Sequence, residues 1–333
     1  MRLRWGIWAA AALLAAPVTV SATSCTTQAG LLVQDRNALA AAGGRLAAAV
    51  LEQDYAVLQA ALLPAEAAEW AGIRDAVEQA APLVKGGQVQ LRSLYLLDAT
   101  SMAAPADTQF FCSNTSGSLT VTLTMRTLPP GRYGLVLADA AGAQMAGQLG
   151  LILAWDSAKA SGGWKLAGLT VRQGMFDGHD GVWYWTRARE LVKADEPRIN
   201  SWSAWFSYEA ARYLLVPVDF LSSPNLEKLG QEQSLIANSP QDAFPLTLQD
   251  GPRTWKIDAV RLDPSLRQAD LGVIYDSTGV TDPAAVRTEA MAVLSAFLKA
   301  QPGLRANFHG LWAYAVKDGK QTPVMELPMG QIP

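Results

Sequence analysis

Only two cysteines, Cys25 and Cys112, and two histidines, His179 and His309, occur in the 333 residues, and charged residues make up just 17% of the chain. With so few soft donors, conventional zinc and thiol chemistry has little to work with, and no metal or cofactor is expected. A GxSxG elbow, an HExxH helix, a phosphate-binding glycine loop, a dinucleotide fingerprint and an EF-hand loop are all missing. Basic clusters are also lacking, and after the first residues so is any apolar run of membrane-spanning length, which argues against a nucleic-acid groove and a spanning helix. What remains is half apolar, as expected of a chain that packs real cores.

The first residues read as an export signal. Arg2 and Arg4 precede a short apolar run, Trp5 to Val20, and then the small residues Ser21-Ala22-Thr23-Ser24 before Cys25. Two cuts fit. Ser24-Cys25 resembles a bacterial lipobox, with Ala22 standing where Leu is usual. On that reading residues 1–24 leave, Cys25 is lipidated and residues 25–34 form a tether to the membrane. The alternative cut follows Ala22 and releases a soluble protein into an oxidising compartment, where Cys25 could bond to Cys112. Lipidation would instead leave Cys112 as a buried thiol. Loss of Arg2 and Arg4 leaves 25 basic against 30 acidic residues, a net charge of −5.

From Asp35 to Leu63 apolar residues recur at helical spacing (Leu39, Leu46, Val50, Leu58, Leu62), with Gly43-Gly44 as an expected kink or break; Pro64 restarts a helix through Trp70, Ile73 and Val77. At Gln88 the period shortens towards two, with an expected bulge between Val89 and Leu96. Leu119, Val121, Leu123 and Met125 alternate with threonines as a half-exposed antiparallel strand does. Strands at 133–138, 145–155 and 164–172 continue the meander. The expected domain, residues 35–176, is α+β: two or three helices on a curved sheet of five or six strands.

That order, helices and then a long meander, resembles the NTF2-like (cystatin-like) fold, in which a bent sheet wraps the N-terminal helix and leaves a pocket. The resemblance implies either a binding protein or a hydrolase or isomerase with a carboxylate inside the cone, for which Asp98 and Asp156, both at strand ends, are the nearest candidates. The whole chain resembles exported bacterial proteins and lipoproteins of this architecture, a family without an assigned activity.

Residues 177–221 concentrate aromatics in an expected helical hairpin. Asp180 is its N-cap, and His179 sits between Asp177 and Asp180. His179, Trp183, Trp185, Trp202 and Trp205 are the candidates for contact with an envelope protein or a small-molecule ligand. The spacing of Ala204, Tyr208, Ala211 and Pro217, with Trp185 on the first helix, resembles one degenerate tetratricopeptide repeat. A single repeat makes no groove, so a helix pair gluing two halves together is the expectation. Residues 222–245 read as a linker with one short helix. The remainder, 246–333, reads as ββαββ. Its helix opens at Asp282-Pro283 and carries the apolar stripe Val286, Ala290, Val293, Leu294 and Phe297. His309 is expected to be structural. Together these readings describe an exported envelope protein that binds rather than catalyses, with a carboxylate hydrolase or isomerase as the alternative.

Overall fold

The computed structural model describes residues 23–158, 162–194, 197–277 and 282–333. Of the signal segment expected at 1–24, residues 1–22 lie outside them. The chain is mixed α+β, with its strands in largely antiparallel sheets around two bodies of core.

The first body begins with β1 (Ser24–Thr27) and the helices α1 (Val33–Glu52), α2 (Tyr55–Ala61) and α3 (Trp70–Val84). Helix α1 runs unbroken through Gly43-Gly44. The glycine at 43 serves close approach: a Cβ there would meet Val136 at 2.7 Å. The break falls instead at Gln53, whose left-handed backbone ends α1, and Asp54 then caps α2 by accepting from the Val57 amide at 3.0 Å.

Strands β2 (Gln88–Asp98), β3 (Ala106–Ser113), β4 (Leu119–Leu128), β5 (Arg132–Ala141), β6 (Gln148–Asp156) and β7 (Gly163–Arg172) follow. They do not form one meander. The five-stranded sheet has the order β1-β2-β5-β6-β7, and the β3–β4 hairpin leaves it to build a second sheet. Alternation assigns the faces. Leu94, Val136, Ala138, Leu149, Leu151 and Leu153 pack against α1–α3, while Tyr95, Leu97, Tyr133, Leu135 and Leu137 face Phe110, Cys112, Val121 and Leu123 of the second sheet. The unit is therefore three layers, helices, sheet and sheet. The expected bulge in β2 falls at Leu91/Ser93.

The stretch 25–34, expected as a tether, enters the first body through β1. β1 pairs with β2, Cys25 opposite Leu97, and Cys25 is bonded to Cys112, 87 residues away, joining the edge of one sheet to the other. Cys112, expected as a buried thiol if Cys25 is lipidated, is in this bond.

A turn with Asp177 and Gly178 at positive φ joins β8 (Met175–Phe176) to β9 (His179–Asp180). It delivers the chain to α4 (Gly181–Lys193), which packs antiparallel on α5 (Pro197–Leu215). Asp180 caps α4 as expected, accepting from the Trp183 amide at 2.8 Å. β10 (Leu221–Ser222) then returns to the first body and pairs with β4. The stretch expected as a linker holds α6 (Pro224–Ser234), capped by Ser223 and buried through Leu226 and Leu229.

The last unit is β11 (Leu246–Asp250), β12 (Arg253–Asp263), β13 (Asp270–Asp276), α7 (Pro283–Ala300), β14 (Gly310–Lys317) and β15 (Lys320–Pro328), one strand more than the expected ββαββ. The sheet runs in chain order, antiparallel except for the parallel β13–β14 pair that α7 connects. Asp282 caps α7 through the Ala285 amide. Trp202, Phe206, Tyr208, Ala211 and Leu214 of α5 share one core with Leu271, Val273, Phe297 and Leu311. The aromatic hairpin is thus part of the second body rather than a separate module.

Candidate functional site

Where β10 and α6 fold back on the first body, the second sheet leaves part of the β2–β5–β6 face uncovered, and α4 and α5 stand over it. The result is a cleft of two chambers, about 280 Å³ and about 400 Å³, which share Arg92, Asp139, Gln148, Val182 and Leu215. Its walls are mostly apolar: Tyr95, Val121 and Leu137 from the strands, Val182 and Leu215 from the helices, and Leu226 from α6. Gln148 fixes the helix side to the strand side by donating to the Leu214 carbonyl at 2.6 Å.

The charged element of the cleft is an ion pair, Arg92 Nε to Asp139 Oδ2 at 3.4 Å. Burial pushes the Asp139 carboxyl above its ordinary value, with Arg92 opposing the shift. Its other oxygen, Oδ1, is shut off from solvent without a hydrogen-bond partner among the described residues. The second carboxylate lining the cleft, Asp180, is committed to capping α4.

The aromatic candidates separate in space. Trp185 lines the cleft; its indole donates to Glu232 at 2.8 Å and lies under the Arg189 guanidinium at 4.4 Å. His179 and Trp183 stack on each other, rings 3.8 Å apart and 10° from parallel, with Trp183 exposed. Trp202 is buried among Phe206, Phe244 and Phe297, and Trp205 packs partly buried against the same core. The five do not form one aromatic patch. Glu232 is what ties the hairpin to α6: it accepts from Trp185, from both Nε and Nη2 of Arg189 at 2.8 Å, and from Tyr208 at 3.3 Å. These donors, Arg189 foremost, hold its carboxyl down at about 2.

Asp98 and Asp156 are turn carboxylates. Asp98 accepts from the Thr100 hydroxyl at 2.6 Å and from its amide at 2.9 Å, which lowers its pKa, and Asp156 accepts from the Ala158 amide. The interior between α1–α3 and the sheet, where a cone pocket would lie, is filled by Leu39, Leu46, Val50, Leu58 and Leu94.

A second cluster was not foreseen. On the C-terminal sheet, His309 Nδ1 lies 2.9 Å from Asp270 Oδ1 and 4.0 Å from Glu326 Oε1. Asp270 is fully buried; its Oδ2 and the Oε1 of Glu326 are without hydrogen-bond partners among the described residues. Burial raises both carboxyls and His309 opposes the shift on each; the charges of Asp177 and Asp263 add to it at Asp270, and that of Asp270 adds to it at Glu326.

The arrangement describes an α+β protein with two joined cores and a polar-tipped apolar cleft at their seam. The chain matches no known family model, no curated protein and no solved structure.

Proposed function

We propose that this is an exported protein of the bacterial cell envelope that binds a small amphipathic ligand in the cleft between the N-terminal sheet and the α4–α5 pair, without converting it. The observation that carries the reading is the make-up of that cleft, a largely apolar wall that holds the Arg92–Asp139 pair beside Gln148 and the helix-capping Asp180. An apolar wall with one or two placed polar groups is how small-molecule sites combine affinity with orientation. Arg92 meets Asp139 through Nε, so its terminal amino groups can take a ligand carboxylate or hydroxyl while the ligand's apolar body lies along Tyr95, Leu137 and Val182.

Export is supported by the signal layout and by the disulfide, which belongs to an oxidising compartment. One sulfur cannot hold both a lipid and Cys112. The reading therefore takes the soluble form cut after Ala22, with the lipoprotein as its alternative. The NTF2-like resemblance is supported by helices packed on one face of an antiparallel sheet. The β3–β4 sheet on the other face and the filled interior are departures from it, and they shift the ligand site to the sheet's far side.

Displacement of an environment-sensitive fluorescent fatty acid tests the binding. Leu137→Trp, which fills the cleft, and Arg92→Gln, which removes its free donors, should each weaken probe binding at least tenfold. Unchanged binding in both variants would sink the proposal. The raised Asp139 carboxyl favours a second reading, a carboxylate hydrolase or isomerase acting in the same cleft. That reading requires Asp139→Asn to abolish turnover of a bound substrate while leaving probe binding intact.

A further inference from the structure

We propose that Asp270, His309 and Glu326 form a binding site for one divalent transition-metal ion of the zinc type. The site is independent of the cleft. It lies on the sheet of the second body, where three strands bring together residues far apart in sequence. Asp270 begins β13, His309 directly precedes β14, and Glu326 stands on β15 opposite Trp312. The parallel register sets Asp270 beside Gly310, and the antiparallel register sets Gly310 beside Pro328.

Four observations converge on a cation. The side chains offer one imidazole nitrogen and two carboxylate oxygens, all within 4.8 Å of one another. Metal–ligand bonds of about 2.0–2.2 Å set neighbouring donor atoms roughly 2.8–3.6 Å apart. The 2.9 Å separation falls within that span and the 4.0 Å separation lies above it, to be closed by a small rotation of the partly exposed Glu326. Next, Asp270 has no solvent exposure, and although its Oδ1 is hydrogen-bonded to His309 Nδ1, its Oδ2 has no partner among the described residues, which is costly for a carboxylate unless a cation or proton satisfies it. Third, Gly310 makes room for the carboxylates to converge: a Cβ there would lie 2.6 Å from Glu326 Oε1 and 2.9 Å from Asp270 Oδ1. Last, the backbone holds His309 on both sides, its amide donating to the Ala269 carbonyl and its carbonyl accepting from the Met329 amide.

The donor set selects the ion. A nitrogen donor beside two carboxylates suits Zn²⁺, Mn²⁺ or Fe²⁺, whereas Ca²⁺ and Mg²⁺ prefer all-oxygen shells. Three protein ligands leave a coordination position for water, and the His309 side chain, 28% exposed, marks the way in.

The chain's shortage of donors makes the test clean. Untagged protein, stripped with chelator, is titrated with Co²⁺ as a visible-absorbance probe and then with Zn²⁺ as competitor. Nitrogen-15 spectra of the two imidazoles are recorded in parallel. One equivalent of Co²⁺ should give a d–d band, lost on adding one equivalent of Zn²⁺ and insensitive to millimolar Ca²⁺ or Mg²⁺. The His309 ring signals should shift and those of His179 should not. His309→Gln and Glu326→Gln should each weaken binding at least tenfold with the near-ultraviolet circular dichroism retained, and His179→Gln should leave it unchanged. No band at millimolar Co²⁺, or a band abolished by His179→Gln instead of His309→Gln, overturns the site. Because the imidazole shifts are read on the wild-type protein, the result does not depend on any variant folding.

Discussion

Replacing both Cys25 and Cys112 by alanine removes the bond between β1 and β3 without leaving a lone thiol or a buried hydroxyl. The bond spans 87 residues, and closing a loop of that length in the unfolded chain costs about 4–5 kcal/mol of entropy at 25 °C. Cys112 is fully buried, so truncating the pair also forfeits packing between the two sheets. For a cooperative unit the size of the first body, about 2–4 °C of melting temperature accompanies each kcal/mol, so the double variant should melt roughly 10–15 °C below the oxidised wild type. The assay is thermal unfolding by circular dichroism of oxidised wild type, wild type with reductant, and the double alanine variant, beside intact masses before and after alkylation. Reduced wild type and the double variant should fall together, and the oxidised protein should take up no alkylating reagent until reduced. A double variant within about 2 °C of oxidised wild type would refute the reasoning. So would a wild-type chain from a bacterial host that carries an acyl-sized mass on Cys25, with Cys112 open to alkylation.

Glu232→Gln should cost about 1–3 kcal/mol, because Arg189 loses a bidentate charged partner while the indole of Trp185 and the Tyr208 hydroxyl lose acceptor strength; denaturant unfolding reads it. The same carboxyl predicts a pH dependence. Its folded value of about 2 lies below the ordinary 4.5, so its contribution is complete above pH 4.5 and is lost as pH falls from there towards 2. Acid titration of wild type against Glu232→Gln should show the difference between them shrinking across that window. Trp202→Ala should cost about 3–5 kcal/mol, since the ring is buried against Phe206, Phe244 and Phe297. The loss should appear in hydrogen exchange of β13 and α7, which share its core, and not only in α5. Gly43→Leu should destabilise by about 1–3 kcal/mol, read by thermal melting, because β-branched Val136 stands in the space a side chain would need.

The elements legible in the sequence are those whose signals are local. Helix α7 carries its own stripe and its own Asp282-Pro283 start, β4 alternates with threonines, and Asp180 announces α4. The elements that escaped depend on distant partners. Strand β3 holds Thr108, Phe110 and Cys112 on one face, an alternation that was available, yet its meaning comes from a second sheet and a bond to Cys25. The polar stretch 222–245 shows its one short helix but reads as linker around it, because α6 has only Leu226, Leu229 and Gln233 to bury and its ties to α4 and α5 run through Glu232. Gly43-Gly44 reads as a break because glycine disfavours helix, but close packing on Val136 overrides propensity. The cleft and the Asp270–His309–Glu326 cluster were beyond reach for the same reason. Register across strands creates both, and Asp139, Arg92 and Glu326 carry no motif.

The two sites sit differently in the architecture, and the difference bears on how each would respond to perturbation. The cleft lies where the chain crosses between bodies: Gln148 holds Leu214, Arg172 holds the Val216 carbonyl and Asp219, and β10 pairs with β4. These tethers are polar side-chain and backbone contacts, the one from Gln148 buried, whereas the cores on either side are broad and apolar. On the proposed reading the seam opens at lower cost than either body unfolds, and the proposed ligand enters and is enclosed there. The carboxylate–histidine cluster lies within a single sheet whose register fixes all three residues, so it cannot open without breaking β13–β14 or β14–β15 pairing. A ligand in the cleft should thus protect the Gln148 and β10 region from hydrogen exchange with little effect at His309. An ion at the cluster should stabilise β13 to β15 and leave the seam as it was. Exchange measured with each ligand alone separates the two, and protection that spreads equally across both bodies in either case would contradict a seam that opens on its own.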